Sequence, residues 1–184
     1  MSDDGAFQAE CCLTINEDIA KETDAEWEGY LSKVDDQVDP TKYRSRLRDI
    51  KDSKNTDPMV LALVKGTSQV ADALLEISHI KHGKDAPRKK VLDICLHPRF
   101  DVDAYNVIDA EFMRNYSDIL RDSIVCSLEL IFGENPANEL RLYGRTDYMY
   151  GYFLAIASEI TRNGGIEGLA VFCQGRWLVF KKEG

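Results

Sequence analysis

Asp57-Pro58-Met59-Val60-Leu61-Ala62-Leu63-Val64-Lys65-Gly66-Thr67-Ser68-Gln69-Val70-Ala71-Asp72-Ala73-Leu74-Leu75-Glu76-Ile77-Ser78-His79-Ile80 is where the apolar pattern of this chain is clearest. Met59, Leu63, Gly66, Val70, Leu74 and Ile77 step by four and three, and Val60, Val64, Ala71 and Leu75 widen the stripe. Asp57-Pro58 is a helix-start signal, with proline in the first turn. The spacing predicts one long, deeply packed helix running to about residue 80. A second long helix follows from Met113, Tyr116, Leu120, Ile124, Leu128 and Ile131; it begins near 104 or 108 and is stopped by Gly133 and Pro136. Two amphipathic helices of similar length are expected to pack on each other as the body of the core.

Other elements surround this pair. Phe7, Ala9, Cys11, Leu13 and Ile15 alternate with polar residues and predict a strand. Asn16 caps a helix over about 17–34 that carries Trp27, Tyr30, Leu31 and Val34. Asp39-Pro40 opens a short basic helix with Tyr43, Leu47 and Ile50 on one face. Asp85 is placed to cap a helix that Pro98 ends. Residues 139–143 read as a strand. Thr146 or Asp147 caps a helix with Met149, Tyr152, Phe153, Ile156 and Ile160, closed at Asn163-Gly164-Gly165. Residues 169–173 and 177–181 form a hairpin through Gln174-Gly175. The fold class is therefore α+β, with a helical body against a small, mostly antiparallel sheet that ends in a hairpin. The N-terminal strand is expected to join that hairpin, with helices on one face. The 184 residues suit a single domain with an acidic segment over 1–40.

Charge is unevenly spread. Net charge is −9, and residues 1–40 hold twelve acidic and two basic residues. Residues 41–54 and 79–100 are locally basic. Either basic stretch meets the acidic segment of its own chain or an outside partner of opposite sign. No apolar run approaches a membrane span, and the first ten residues lack the basic start of a secretory signal, so the expected compartment is the cytoplasm. Five cysteines without a CxxC pair argue against a disulfide framework or zinc ribbon.

No P-loop, dinucleotide fingerprint, G-x-S-x-G or H-E-x-x-H is present, and no cofactor is expected. His79, His82, His97, Asp101 and Asp103 are the residues a metal-dependent hydrolase or nuclease would draw on, but Lys81 and Lys84 flank the first pair and no metal site is assigned. Asp101-Val102-Asp103 departs from a calcium loop at Tyr105 and Asn106. Asp52-Ser53-Lys54 sits at a helix end, where a nuclease would use a strand. Cys95 and His97, two apart on the expected helix, do not face each other.

The richest stretch is 141–152, Arg-Leu-Tyr-Gly-Arg-Thr-Asp-Tyr-Met-Tyr-Gly-Tyr. Arg141, Tyr143, Arg145, Tyr148 and Tyr150 surround a strand-to-helix junction, and Arg176 and Trp177 extend it if the hairpin lies alongside. Tyrosine and arginine are enriched at binding hot spots. The expected function is a protein-binding or regulatory subunit of a complex, with a protein partner and no membrane. An alternative is a nucleic-acid-associated subunit that uses Lys42, Arg44, Arg46, Arg48, Arg88, Lys89 and Lys90. A metal-dependent hydrolase or nuclease is a third.

Overall fold

The chain crosses one sheet seven times. In the computed structural model, which describes residues 11–34, 38–52, 59–64, 68–80, 87–101, 109–132 and 137–183, the elements are β1 (Cys11–Thr14), α1 (Glu17–Leu31), α2 (Pro40–Asp52), β2 (Met59–Val64), β3 (Ala71–Ile80), β4 (Arg88–Leu96), α3 (Ala110–Phe132), β5 (Glu139–Tyr143), α4 (Asp147–Arg162), β6 (Leu169–Gln174) and β7 (Trp177–Lys182). The spatial order is β1-β2-β3-β4-β5-β7-β6, and every pair is antiparallel except β4 with β5.

The α+β class, the mostly antiparallel sheet and the C-terminal hairpin stand. The helix expected from residue 58 to 80 does not: that stretch is β2 and β3, paired antiparallel. Every residue from Val60 to Val64 is buried. A strand covered on both faces is apolar at every position, so its sequence satisfies helical and extended spacing alike. The helix expected after Asp85 is likewise the strand β4. The partner anticipated for α3 is thus a sheet.

Two apolar clusters separate along the sheet. Val60, Ala62, Leu74 and Cys95 face Ile19, Trp27, Tyr43 and Leu47 of α1 and α2. Leu61, Leu75, Ile94 and Leu140 face Ile119, Leu120, Ile124 and Phe153 of α3 and α4. Helices therefore cover both faces, where the sequence suggested one. β1 does join the sheet of the hairpin, but at the opposite edge. Residues 7–10 of the expected strand lie outside the described residues.

The helix starts follow their caps. Asn16 Oδ1 accepts from Ile19 N–H at 2.8 Å, and Thr146 Oγ1 accepts from Met149 N–H at 3.1 Å. α3 has no basic residue in its last turn. Lys89 of β4 and Lys182 of β7 instead donate to its Leu130 and Ile131 carbonyls at 3.1 and 3.0 Å, which places positive charge at the negative end of the dipole.

α1 is pinned to the sheet through one residue. Ala71 donates its N–H to Thr23 Oγ1 and accepts from Trp27 Nε1, each at 3.0 Å. Trp27 also meets Tyr43 and His97 edge-on. His97 is 2% exposed, and its Nδ1 accepts from Arg99 N–H, so its ring proton sits on Nε2. Burial, with Arg99 nearby, pushes its pKa down to about 4. The ring is neutral when folded but gains a proton near pH 6.5 when unfolded. Falling pH therefore favours the unfolded chain between about pH 6.5 and 4, by about 3 kcal/mol in total. A His97→Gln variant should show a shallower loss of denaturation midpoint across that window than the unmodified chain; equal slopes would contradict the buried neutral ring.

Candidate functional site

The β4–β5 ladder is short. It pairs Arg88, Lys89, Lys90 and Val91 with Glu139, Leu140, Arg141 and Leu142, and then β5 departs. At the same level β3 and β4 shift register: Glu76 is opposite Asp93, but Ile77 is opposite Val91. A bulge of this kind bends the strand and re-aims its side chains. β4 runs on to Leu96, while β5 ends at Tyr143 and turns into α4. A crevice opens between them, beyond the carboxyl ends of the only parallel pair among the named strands. Such positions commonly hold ligands in α/β sheets.

Asp93 sits at the base. It is 3% exposed, and its Oδ2 accepts from Arg46 Nε of α2 and from Arg145 Nη1 at the β5–α4 junction, each at 3.0 Å. Arg46 also pairs with Glu76. Asp93 and Glu76 thus lie behind Arg46 and Arg145, and the walls of the crevice present Lys42, Arg46 and Arg145 together with the carboxylate of Asp147, which Arg176 binds. Its volume is about 680 Å³, and it is lined by Lys42, Ser45, Arg46, Arg145, Thr146, Asp147 and Tyr148. The first turn of α4 opens onto it, adding the positive end of a helix dipole. A recess of about 30 Å³ lies behind, among Tyr43, Ile94, Leu96, Phe100, Asp101, Tyr116 and Met149. There the Tyr43 hydroxyl donates to Asp101 Oδ2 at 2.6 Å, and Lys42 Nζ stands 3.9 Å from the same oxygen.

The junction is held by Arg176. Its Nε donates to Gly144 O at 2.7 Å, its Nη2 to Arg145 O at 3.2 Å and its Nη1 to Asp147 Oδ1 at 2.9 Å. Gly144 fits closely, because a Cβ there would lie 3.0 Å from Tyr150 Cα and 3.3 Å from Arg176 O, and the backbone would have to give by a few tenths of an ångström. Arg176 also lies over the Tyr150 ring.

The tyrosine and arginine residues singled out from sequence therefore fall into two groups. Arg145 and Tyr148 line the crevice, with Tyr150 and Arg176 bracing it. Arg141, Tyr143 and Trp177 lie on the sheet face that α1 and α2 leave open, where the Tyr143 and Trp177 rings are 4.9 Å apart and Lys90 stands over Trp177. Arg141 is bound to Glu139 at 2.5 Å and to Gln174 at 3.1 Å.

The basic residues assigned to nucleic acid do not form one patch. Arg44 pairs with Glu28, and Arg48 donates to Arg44 O. Arg88 stands 3.8 Å from Glu139, Lys89 caps α3, and Lys42 and Arg46 belong to the crevice. Asp93, Glu76 and Ser45 were not singled out from sequence. A lone carboxylate in the apolar run Val91-Leu92-Asp93-Ile94-Cys95-Leu96 was the available signal.

His79 and His97 lie at opposite ends of the β3–β4 ladder, about 20 Å apart at strand rise. His82, Asp103, Ser53 and Lys54 lie outside the described residues. Among the described residues, no three His, Cys, Asp or Glu side chains are grouped to hold a metal ion. Burial, with Asp93 close by, pushes the Cys95 thiol up to about 12, which keeps it protonated and unreactive at neutral pH. No helix among the described residues is long and apolar enough to cross a membrane.

No family model matches the chain, and no curated protein matches it. Among solved structures it is similar to a chain of the KacTA–DNA complex, at 12% identity over 78% of this chain and 82% of that one, with a TM-score of 0.40. It is also similar to a chain of the NatC complex bound to Gag peptide and CoA, at 12% identity over 90% and 89%, with a TM-score of 0.26. Likenesses this distant carry no function across.

The two arginines on Asp93 differ in exposure, 20% for Arg46 against 51% for Arg145. Arg46→Met should cost about 3 kcal/mol, because it breaks a buried network. Arg145→Met should cost about 1 kcal/mol or less, its pair being half solvated. Urea denaturation midpoints at one pH give the comparison, and equal losses would mean that the two sides of the network are equivalent.

Proposed function

We propose that this chain is a protein-binding module, and that the crevice beyond β4 and β5 receives an anionic group carried by its partner. One observation supports the reading above the rest: Lys42 and Arg46 from α2 and Arg145 from the junction converge on a crevice of about 680 Å³ at the first turn of α4. A carboxylate or phosphate entering there meets donors from two separate elements and the helix dipole. Tyr148 is exposed at the rim with its ring against Tyr116, and offers the apolar flank that a partner's side chain needs. On this reading the chemistry of the site is recognition of charge.

A second reading has its own support. Tyr143, Trp177, Lys90 and Arg141 share the open sheet face, and aromatic rings beside cations suit stacking of unpaired bases. Such binding would fall steeply with salt. Failure of single-stranded oligonucleotides to shift the chain in a low-salt gel would remove it.

For the protein reading, Lys42→Glu and Tyr148→Ala are the informative variants, since both side chains are exposed. Each should weaken the partner by tenfold or more, about 1.4 kcal/mol, in a chain whose circular dichroism shows it still folded. The measurement is quantitative capture on immobilised chain, followed by titration with the purified partner. Unchanged affinity in both variants would sink the assignment of this crevice.

A further inference from the structure

β6 is an edge strand without the usual protection. Leu169-Ala170-Val171-Phe172-Cys173-Gln174 contains no charge and no proline, in a chain that is 30% charged. One side of it pairs with β7, and among the described residues no strand pairs with the alternate N–H and C=O groups on the other side. Natural sheets normally guard such an edge with lysine, proline or a bulge.

Exposed apolar side chains collect on the same flank. Phe172 is 40% exposed on β6, and Ile166, bridged to Leu169 at the strand's start, is 36% exposed. α4 packs over β6 and β7, and its Tyr152 hydroxyl donates to Ser117 O of α3 at 3.1 Å, which marks the side facing α3. Leu154, two residues further and about 200° around the helix, lies on the flank away from α3 and is 44% exposed. Isolated exposed apolar residues need no explanation, but three around one unguarded strand edge do.

We propose that β6 is the seam of a homodimer, pairing antiparallel with β6 of a second copy so that two seven-stranded sheets become one. The occupant follows from three features. A bare edge accepts a strand. A two-fold axis normal to the sheet keeps each face on its own side, so a register centred on Phe172 sets that ring against its own symmetry mate and closes the assembly. Pairing β6 with β1 of another copy would be head-to-tail and open-ended. Charge agrees: each copy carries −9 overall, yet the strand that meets its mate carries none, so the seam brings no like charges together. The five strand residues 170–174 that this register pairs give a seam of about 17 Å at strand rise. The site in the crevice lies on the other side of β7 and is complete within one copy.

The test uses the full chain in analytical ultracentrifugation over a concentration series. The expected result is a species of twice 20.8 kDa that Phe172→Lys and Leu154→Lys each shift at least about tenfold toward the monomer, with circular dichroism unchanged. Phe172→Cys should give a covalent dimer linked through position 172 on mild oxidation. A monomer at every concentration, or a dimer that both lysine variants leave intact, overturns the proposal. Failure of either lysine variant to fold would leave the decision to the Phe172→Cys cross-link, whose absence in a folded dimer also overturns it.

Discussion

One buried carboxylate ties three parts of this molecule together. Asp93 belongs to β4, yet it is held by Arg46 from α2 and by Arg145 from the start of α4. A carboxylate this deep is costly without partners, so the helical layer and the β5–α4 junction must both be in place before it is satisfied. The bulge beside it turns β4, β5 leaves at the same level, and the crevice is the space this creates. Structural ion pairing and the proposed recognition site are thus parts of one arrangement. The cations face the opening because the carboxylates behind them fix their position.

The two halves of the sheet differ in what covers them. Over β1–β4, helices lie on both faces, and β2 there is apolar throughout. Over β5, β7 and β6, α3 and α4 are the described helices that give cover, so polar and aromatic side chains alternate with buried ones: Arg141 and Tyr143 with Leu140 and Leu142, and Trp177 with Leu178. This asymmetry concentrates the surface available for recognition in the C-terminal half. Lys89 and Lys90 illustrate it. Adjacent in β4, they point to opposite faces, one to cap α3 and the other to stand over Trp177.

Local signals carried much of the chain. Asn16 and Thr146 start helices as their side chains allow, the hairpin forms one residue on from the expected Gln174-Gly175, through Gly175-Arg176 with Gly175 at φ 56°, and the strands expected at 139–143 and 177–181 form. The junction at 141–152 was legible as a place rich in tyrosine and arginine. What that stretch did not reveal is how its members divide, with Arg176 bracing backbone carbonyls and Arg145 turned to Asp93. Those distinctions depend on partners more than thirty residues away.

The sequence alone determined the caps at Asn16 and Thr146, the hairpin, the uneven charge and the α+β class. Only tertiary structure decided that 59–64 and 71–80 are strands. Burial on both faces removes the alternation that marks a strand, and the step of three and four that remained was that of a buried helix. Tertiary structure also decided the crevice. Lys42, Arg46, Asp93 and Arg145 come from three elements, and their meeting is set by the bulge in β4 and the departure of β5, for which no local spacing exists.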